Sequence, residues 1–216
     1  QITYTWSSGT SHSTPAVAGA SALVWEDYKR ALNPGMGDPS PAMLKAILVN
    51  ASRYLSGTGT GGTLPSNNQG WGDVNLGRIF DGTPRRFVDQ SQVFAATGEE
   101  YLLTGHIVDA GKPFQVSLVW TDAPGPLSGN AYVNDLNLEV SAGGNTYLGN
   151  MFSGDHSVAG GTADPRNNVE SVFLPAGLTG SYTVRVVADN VAGDGIPGNG
   201  DVTDQDFALV IDNSGN

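Results

Sequence analysis

Between residues 87 and 213 the sequence falls into eight short runs whose apolar side chains recur near every second position: FVDQSQVFAATG, EYLLTGHIV, FQVSLVWTDA, VNDLNLEVSAGG, NTYLGNMF, NNVESVFLPAG, GSYTVRVVADN and QDFALVIDN. Side chains alternate between two faces along a strand, so this period marks strands that bury one face. Each run is bounded by Gly, Pro, Asn or Asp, the residues that turn a chain. Eight such runs with no helical segment among them predict an antiparallel β-sandwich or jelly roll. Val119, Trp120, Leu136, Leu138, Phe173, Val184, Val186, Phe207 and Leu209 are its expected core.

The first 80 residues have a different rhythm. ITYTW reads as a short strand, and Ser8-Gly9 as a turn. TPAVAGASALVWEDYKRAL then reads as a helix, with Pro15 in its first turn and Val17, Ala20, Val24, Tyr28 and Leu32 at helical spacing. Its small residues predict close packing against other backbone. A second helix, PAMLKAILVNASRYL, has Ser40 as its cap, Pro41 at its first position, and Met43, Ile47 and Tyr54 as core contacts. The glycine-rich stretch SGTGTGGTLPSNNQGWG lacks the lysine and the following helix of a phosphate loop. The change of period places a domain boundary at residues 81–86, dividing the chain into 1–82 and 83–216.

Charge is divided in the same way. The chain carries 21 acidic and 10 basic residues, for a net charge of -11, and residues 81–216 hold 17 of the acids against five bases. An acidic surface argues against nucleic-acid partners, which need a basic footprint. Oxygen-bearing side chains cluster where strands end: Asp122, Asn134 and Asp135 first, then Asp194, Asp201, Asp204 and Asp206. Further oxygens recur at Asp155, Asp164, Asn167, Asn168 and Glu170. Hard oxygen ligands on short loops are the chemistry of calcium, and like charges crowded into one loop call for a cation. We therefore expect a structural calcium ion, although no run has the spacing of an EF-hand loop. The absence of cysteine excludes disulfides, thiol catalysis and cysteine-held zinc. No apolar run is long enough for a transmembrane helix.

One segment bears on chemistry. In SSGTSHSTPAVAGASALVW, Ser11 stands just before the expected helix, whose free N–H groups and positive end favour negative charge on a substrate oxygen. The Ser11 N–H can supply one oxyanion donor, Gly9 allows close approach of a peptide, and Thr10 can support the turn. Ser11, Ser13 or Thr14 could equally be an ordinary N-cap. A nucleophilic hydroxyl also needs a base and an orienting acid. His12 is adjacent in sequence and points elsewhere, toward packing or a substrate wall, and His106 and His156 read as surface or turn histidines.

GTSHSTPAVAG resembles the nucleophile motif of the subtilisin-like serine peptidases, GTSMATPxVAG. Gly9, Thr10, Ser11, Thr14, Pro15, Val17, Ala18 and Gly19 match, while His12 and Ser13 replace Met and Ala. The stretch NQGWGDVNL is similar to the segment that closes the family's catalytic domain. LVWTDAP, VNDLNLEV, YLGN and RNNVESVF resemble the bacterial alkaline members with a C-terminal jelly-roll domain. The resemblance implies an α/β fragment, the C-terminal part of a subtilisin-like catalytic domain, followed by an all-β jelly-roll sandwich. It also implies that Ser11 is the nucleophile of a secreted, extracellular endopeptidase acting on proteins or peptides through an acyl-enzyme, with Gly9, Thr10 and His12 beside the substrate. The family's catalytic Asp and His and its oxyanion Asn lie upstream of the serine, where this chain has ten residues. The missing N-terminal part of the catalytic domain is therefore an expected partner, and the chain is expected to be inactive alone. The rival expectation is a non-catalytic, calcium-stabilised β-sandwich interaction module.

Overall fold

The computed structural model describes residues 5–35 and 37–216, so most of the strand expected over residues 2–6 lies outside the described residues. Helix α1 spans Thr10–Asp27 and runs on into a π-helical turn, Tyr28–Leu32. It starts four residues earlier than periodicity predicts. Gly9, at φ 133°, makes the break, and its carbonyl accepts the His12 and Ser13 amides. Left-handed backbone of this kind is open to glycine and costly for other residues. Helix α2, Pro41–Asn50, starts as expected, with Ser40 Oγ accepting the Met43 amide at 3.0 Å. It stops at Asn50, short of the predicted end, and a four-residue helix, α3, follows at Leu76–Ile79.

Each of the eight period-two runs contains a strand. β1 (Arg85–Phe94), β2 (Glu100–Ile107), β3 (Phe114–Val119), β4 (Asp135–Ala142) and β5 (Asn145–Leu148) come first. One short pair follows, β6 (Phe152–Ser153) with β7 (His156–Ser157), and then β8 (Val169–Leu174), β9 (Gly180–Asn190), β10 (Gln205–Asp212) and β11 (Ser214–Gly215). They form a four-stranded sheet in the order β1-β10-β3-β8 and a five-stranded sheet in the order β11-β2-β9-β4-β5. All pairings in the two sheets are antiparallel. One apolar core lies between the sheets. It contains Trp120, Leu136, Leu138, Val184, Val186, Phe207 and Leu209, as expected from their alternation.

Val119 and Phe173 are buried on the other side. They join Val169, Ala208 and Val210 on the outer face of the four-stranded sheet, which packs against α2. Met43 and Ile47 fill that contact and are fully buried, each contributing roughly 1.5–3 kcal/mol. Tyr54 is only half-buried there, and its hydroxyl donates to the Gly62 carbonyl at 2.8 Å. Because helices cover this face, β3, β8 and β10 are buried along their whole length, whereas β9 alternates. A polar seam crosses the contact: Asn50 donates to Ser117 Oγ at 3.2 Å, and Ser117 pairs with Ser171 at 2.9 Å. Asp89 of β1 accepts the Ser40 amide at 3.0 Å and anchors the start of α2 to the sheet.

Two arginines complete the junction. Arg78 of α3 meets Asp212 of β10 at 2.8 Å, and Arg85 Nε lies 2.8 Å from the other Asp212 oxygen, in ion-pair rather than hydrogen-bond geometry. Arg85 also donates to the carbonyls of Arg78 and Ile79, satisfying the C-terminal end of α3.

The small-residue face of α1 departs from the packing expected of it. Ala20, Val24 and Tyr28 are buried, but residues 10–19 are exposed and no atom lies within 4 Å of a side chain added at Gly19. Close packing of Ala, Gly and Ser is absent there among the described residues. Val17, Leu23 and Trp25 are exposed on the same helix.

Candidate active site

Ser11 occupies the second position of an 18-residue helix, and its side chain is exposed. Helical peptide dipoles align toward this end, so the Ser11 hydroxyl sits where negative charge is stabilised. Gly9, rather than Ser11, Ser13 or Thr14, is the N-cap, and it provides no side-chain cap bond. The hydroxyl is thus free of capping duty. Pro15 lies inside the helix, so the Ser11 carbonyl receives no amide from the residue four positions on.

His12 pairs with Ser7 and not with Ser11. Its Nε2 lies 2.6 Å from Ser7 Oγ, which holds the ring back over the segment that enters the helix. Ser7 did not stand out in the sequence, since a serine five residues before a histidine is an unremarkable spacing. His106 is exposed on β2, and His156 is exposed on β7, where Nδ1 is 3.0 Å from Asp155. Neither histidine belongs to the α1 segment.

The acidic residues fall into separate arrangements. Asp122 accepts the amides of Val133 and Asn134, each at 2.8 Å, closing the loop that leads into β4. Asn134 Oδ1 accepts the Ala192 and Gly193 amides, while its Nδ2 donates to Gly193 O, Asp204 O and Gln205 Oε1. Asn134 therefore ties the first acidic region to the second. Asp135 is buried with Oδ1 unpartnered, and burial, followed by the charges of Asp189, Asp164 and Asp122, raises its pKa to about 6.

In the later loop, Asp194 Oδ1 and Asp204 Oδ1 both accept the Ile196 amide, at 3.1 and 3.0 Å, so two carboxylates converge on one N–H. Asn199 donates to the other Asp204 oxygen at 2.5 Å. Asp201 is exposed, whereas Asp206 is buried on β10 and its pKa is raised, first by burial and then by Asp204 and Asp89. Among the described residues, no three His, Cys, Asp or Glu side chains form a group able to hold a metal ion.

Glu170, read from the sequence as a loop oxygen, lies in β8 and is completely buried. Its Oε2 accepts the Leu138 amide at 2.6 Å and Oε1 has no partner. Burial pushes the carboxyl up to about 9, with smaller additions from Asp164 and Asp135. A carboxylate inside the apolar run VESVF was the available signal, because such a run leaves it no route to water.

No described helix is long and apolar enough to cross a membrane. No curated protein matches the chain. Residues 1–72, the stretch that carries Ser11 and both longer helices, match the model of the subtilase family.

Proposed function

We propose that the chain carries the nucleophile segment of a subtilisin-like serine endopeptidase, with Ser11 attacking the peptide carbonyl and its own N–H helping to hold the oxyanion. The observation that carries this reading is the exposed Ser11 hydroxyl, free of capping duty, at the positive end of α1. The family match over residues 1–72 supports it. Gly9, Thr10 and His12 lie beside the peptide substrate in this reading. The general base, its orienting acid and a second oxyanion donor come from a further part of the catalytic domain. Val17, Leu23 and Trp25, exposed at different angles around α1, are apolar side chains available to that part. Residues 1–82 then belong to the catalytic domain and residues 83–216 form a jelly-roll sandwich in a secreted, extracellular enzyme.

A fluorophosphonate probe tests this. The chain alone is expected to stay unlabelled, and the chain assembled with the upstream catalytic segment to be labelled at Ser11, with all labelling lost in Ser11→Ala. A correctly folded assembly that takes no label would leave the non-catalytic module as the better reading.

A structural calcium ion in the acidic loops is part of the same proposal. Convergence of Asp194 and Asp204 on a single amide, and the unpartnered Asp135 oxygen, fit a cation that relieves like-charge crowding. Calorimetric titration should then show saturable calcium binding, and EDTA should lower the melting temperature by several degrees. Replacing Asp194 and Asp204 together with Asn should abolish both effects at that loop. No heat and unchanged melting in EDTA would remove calcium from the account.

A further inference from the structure

A crevice of about 440 Å³ opens where the end of the helical part meets the outer face of the four-stranded sheet. Gln115 lines it. Along β3, Phe114, Val116 and Leu118 enter the core between the sheets, so Gln115 faces the opposite way, beside Phe173 of β8 and Asp212 of β10. Gln115 is 7% exposed, and its Oε1 has no hydrogen-bond partner. A buried amide oxygen left unpaired is costly.

The remaining lining describes a ligand. Leu64, Phe173, Leu174 and Pro175 give an apolar wall, and Arg53, paired with the half-exposed Asp73 at 2.7 Å, and Arg78, paired with Asp212, bring guanidinium groups to it. Arg78 belongs to a linked charge group in which Arg78, Arg85 and Lys112 face only Asp81 and Asp212, an excess of one positive charge. Asp155 also lines the crevice, so an anion placed there meets Arg53 and Arg78 on one side and a single exposed carboxylate on the other. A peptide group supplies both a donor and an acceptor, so it can pair with a carboxamide whichever end of the amide faces the crevice.

We propose that this crevice binds the C-terminal end of a peptide. Its last peptide group pairs with the Gln115 carboxamide, its free carboxylate meets Arg78 and Arg53, and its last side chain lies on Phe173, Leu174 and Pro175. The inference rests on the peptidase reading only for the source of the ligand, since each peptide bond hydrolysed creates one new C-terminal carboxylate. The binding itself requires no catalysis and is measured without it.

Trp71 reports occupancy, because its ring centroid lies 6.0 Å from that of Phe173. The chain is titrated with acetyl-Ala-Ala-Leu bearing a free carboxylate, with the same peptide amidated, and with inorganic phosphate. The expected result is a saturable change in fluorescence with the free acid that Trp71→Phe removes, and binding about tenfold weaker after amidation. Gln115→Met and Arg53→Gln should each weaken the acid about five- to tenfold. Arg53 is largely exposed, so Arg53→Gln reports even if Gln115→Met fails to fold. Equal binding of acid and amide, no saturable change, or full affinity in Arg53→Gln would overturn the proposal. Saturation by phosphate without the peptide would overturn it in favour of a simple anion site. Binding of the peptide acid with no Ser11 labelling in the assembled enzyme would uphold the crevice while removing the peptidase reading.

Discussion

Asp212→Ala is expected to lower the stability of the fold by about 3–5 kcal/mol, a large part of the roughly 5–15 kcal/mol that holds a domain together. The Asp212 and Arg85 side chains are each 3% exposed, and Arg78 is 17% exposed. Removing the carboxylate leaves Arg78 without a counter-charge and Arg85 with only the longer 3.4 Å contact to Asp81, in a place water barely reaches. Arg85 also holds the last carbonyls of α3, so its displacement loosens the junction between the helical part and the sheet. Urea denaturation measures the loss. Replacing Asp212 with Leu and Arg85 with Met together should recover much of it, because an apolar pair avoids the desolvation cost that the ions must offset. A loss below about 1 kcal/mol in Asp212→Ala would show that solvent screens the network.

Glu170→Gln should act in the opposite direction, and increasingly so at alkaline pH. The folded protein holds the Glu170 proton until about pH 9, whereas the unfolded chain releases it near the ordinary value of 4.5. The folded state therefore binds more protons between these values. The contribution to stability is fully present below pH 4.5 and is lost as pH rises toward 9, at about 1.4 kcal/mol per pH unit. The amide of Gln has no proton to lose and can still accept the Leu138 N–H. Unfolding free energies from urea denaturation in EDTA should thus be similar for parent and variant near pH 4.5, and favour the variant by several kcal/mol, as an order of magnitude, near pH 9. Parallel curves for the two proteins across this range would mean that Glu170 is ionised in the folded state.

Local signals were enough for much of the architecture. The period-two runs placed a strand in each of the eight segments, and Ser40-Pro41 placed the start of α2 to the residue. Both depend on neighbours in sequence: alternation follows from backbone geometry, and a cap acts within one turn. The start of α1 was missed because a glycine at φ 133° ends the preceding segment without leaving a sign in the hydrophobic pattern. Ser11 stood out through the residues around it, and the structure places it at the helix end without a base among its described neighbours.

Strand order and the second buried face were decided only by tertiary structure. Val119 and Phe173 alternate like any core residues, and nothing in β3 or β8 says whether the outer face meets water or α2. The burial of Glu170, the convergence of Asp194 and Asp204, and the unpaired Gln115 depend on chain segments far apart in sequence. Composition and periodicity determined which segments are strands and helices and where acidity accumulates, because those properties are local. Which charges lose their water was settled by packing, because desolvation depends on everything that surrounds a side chain.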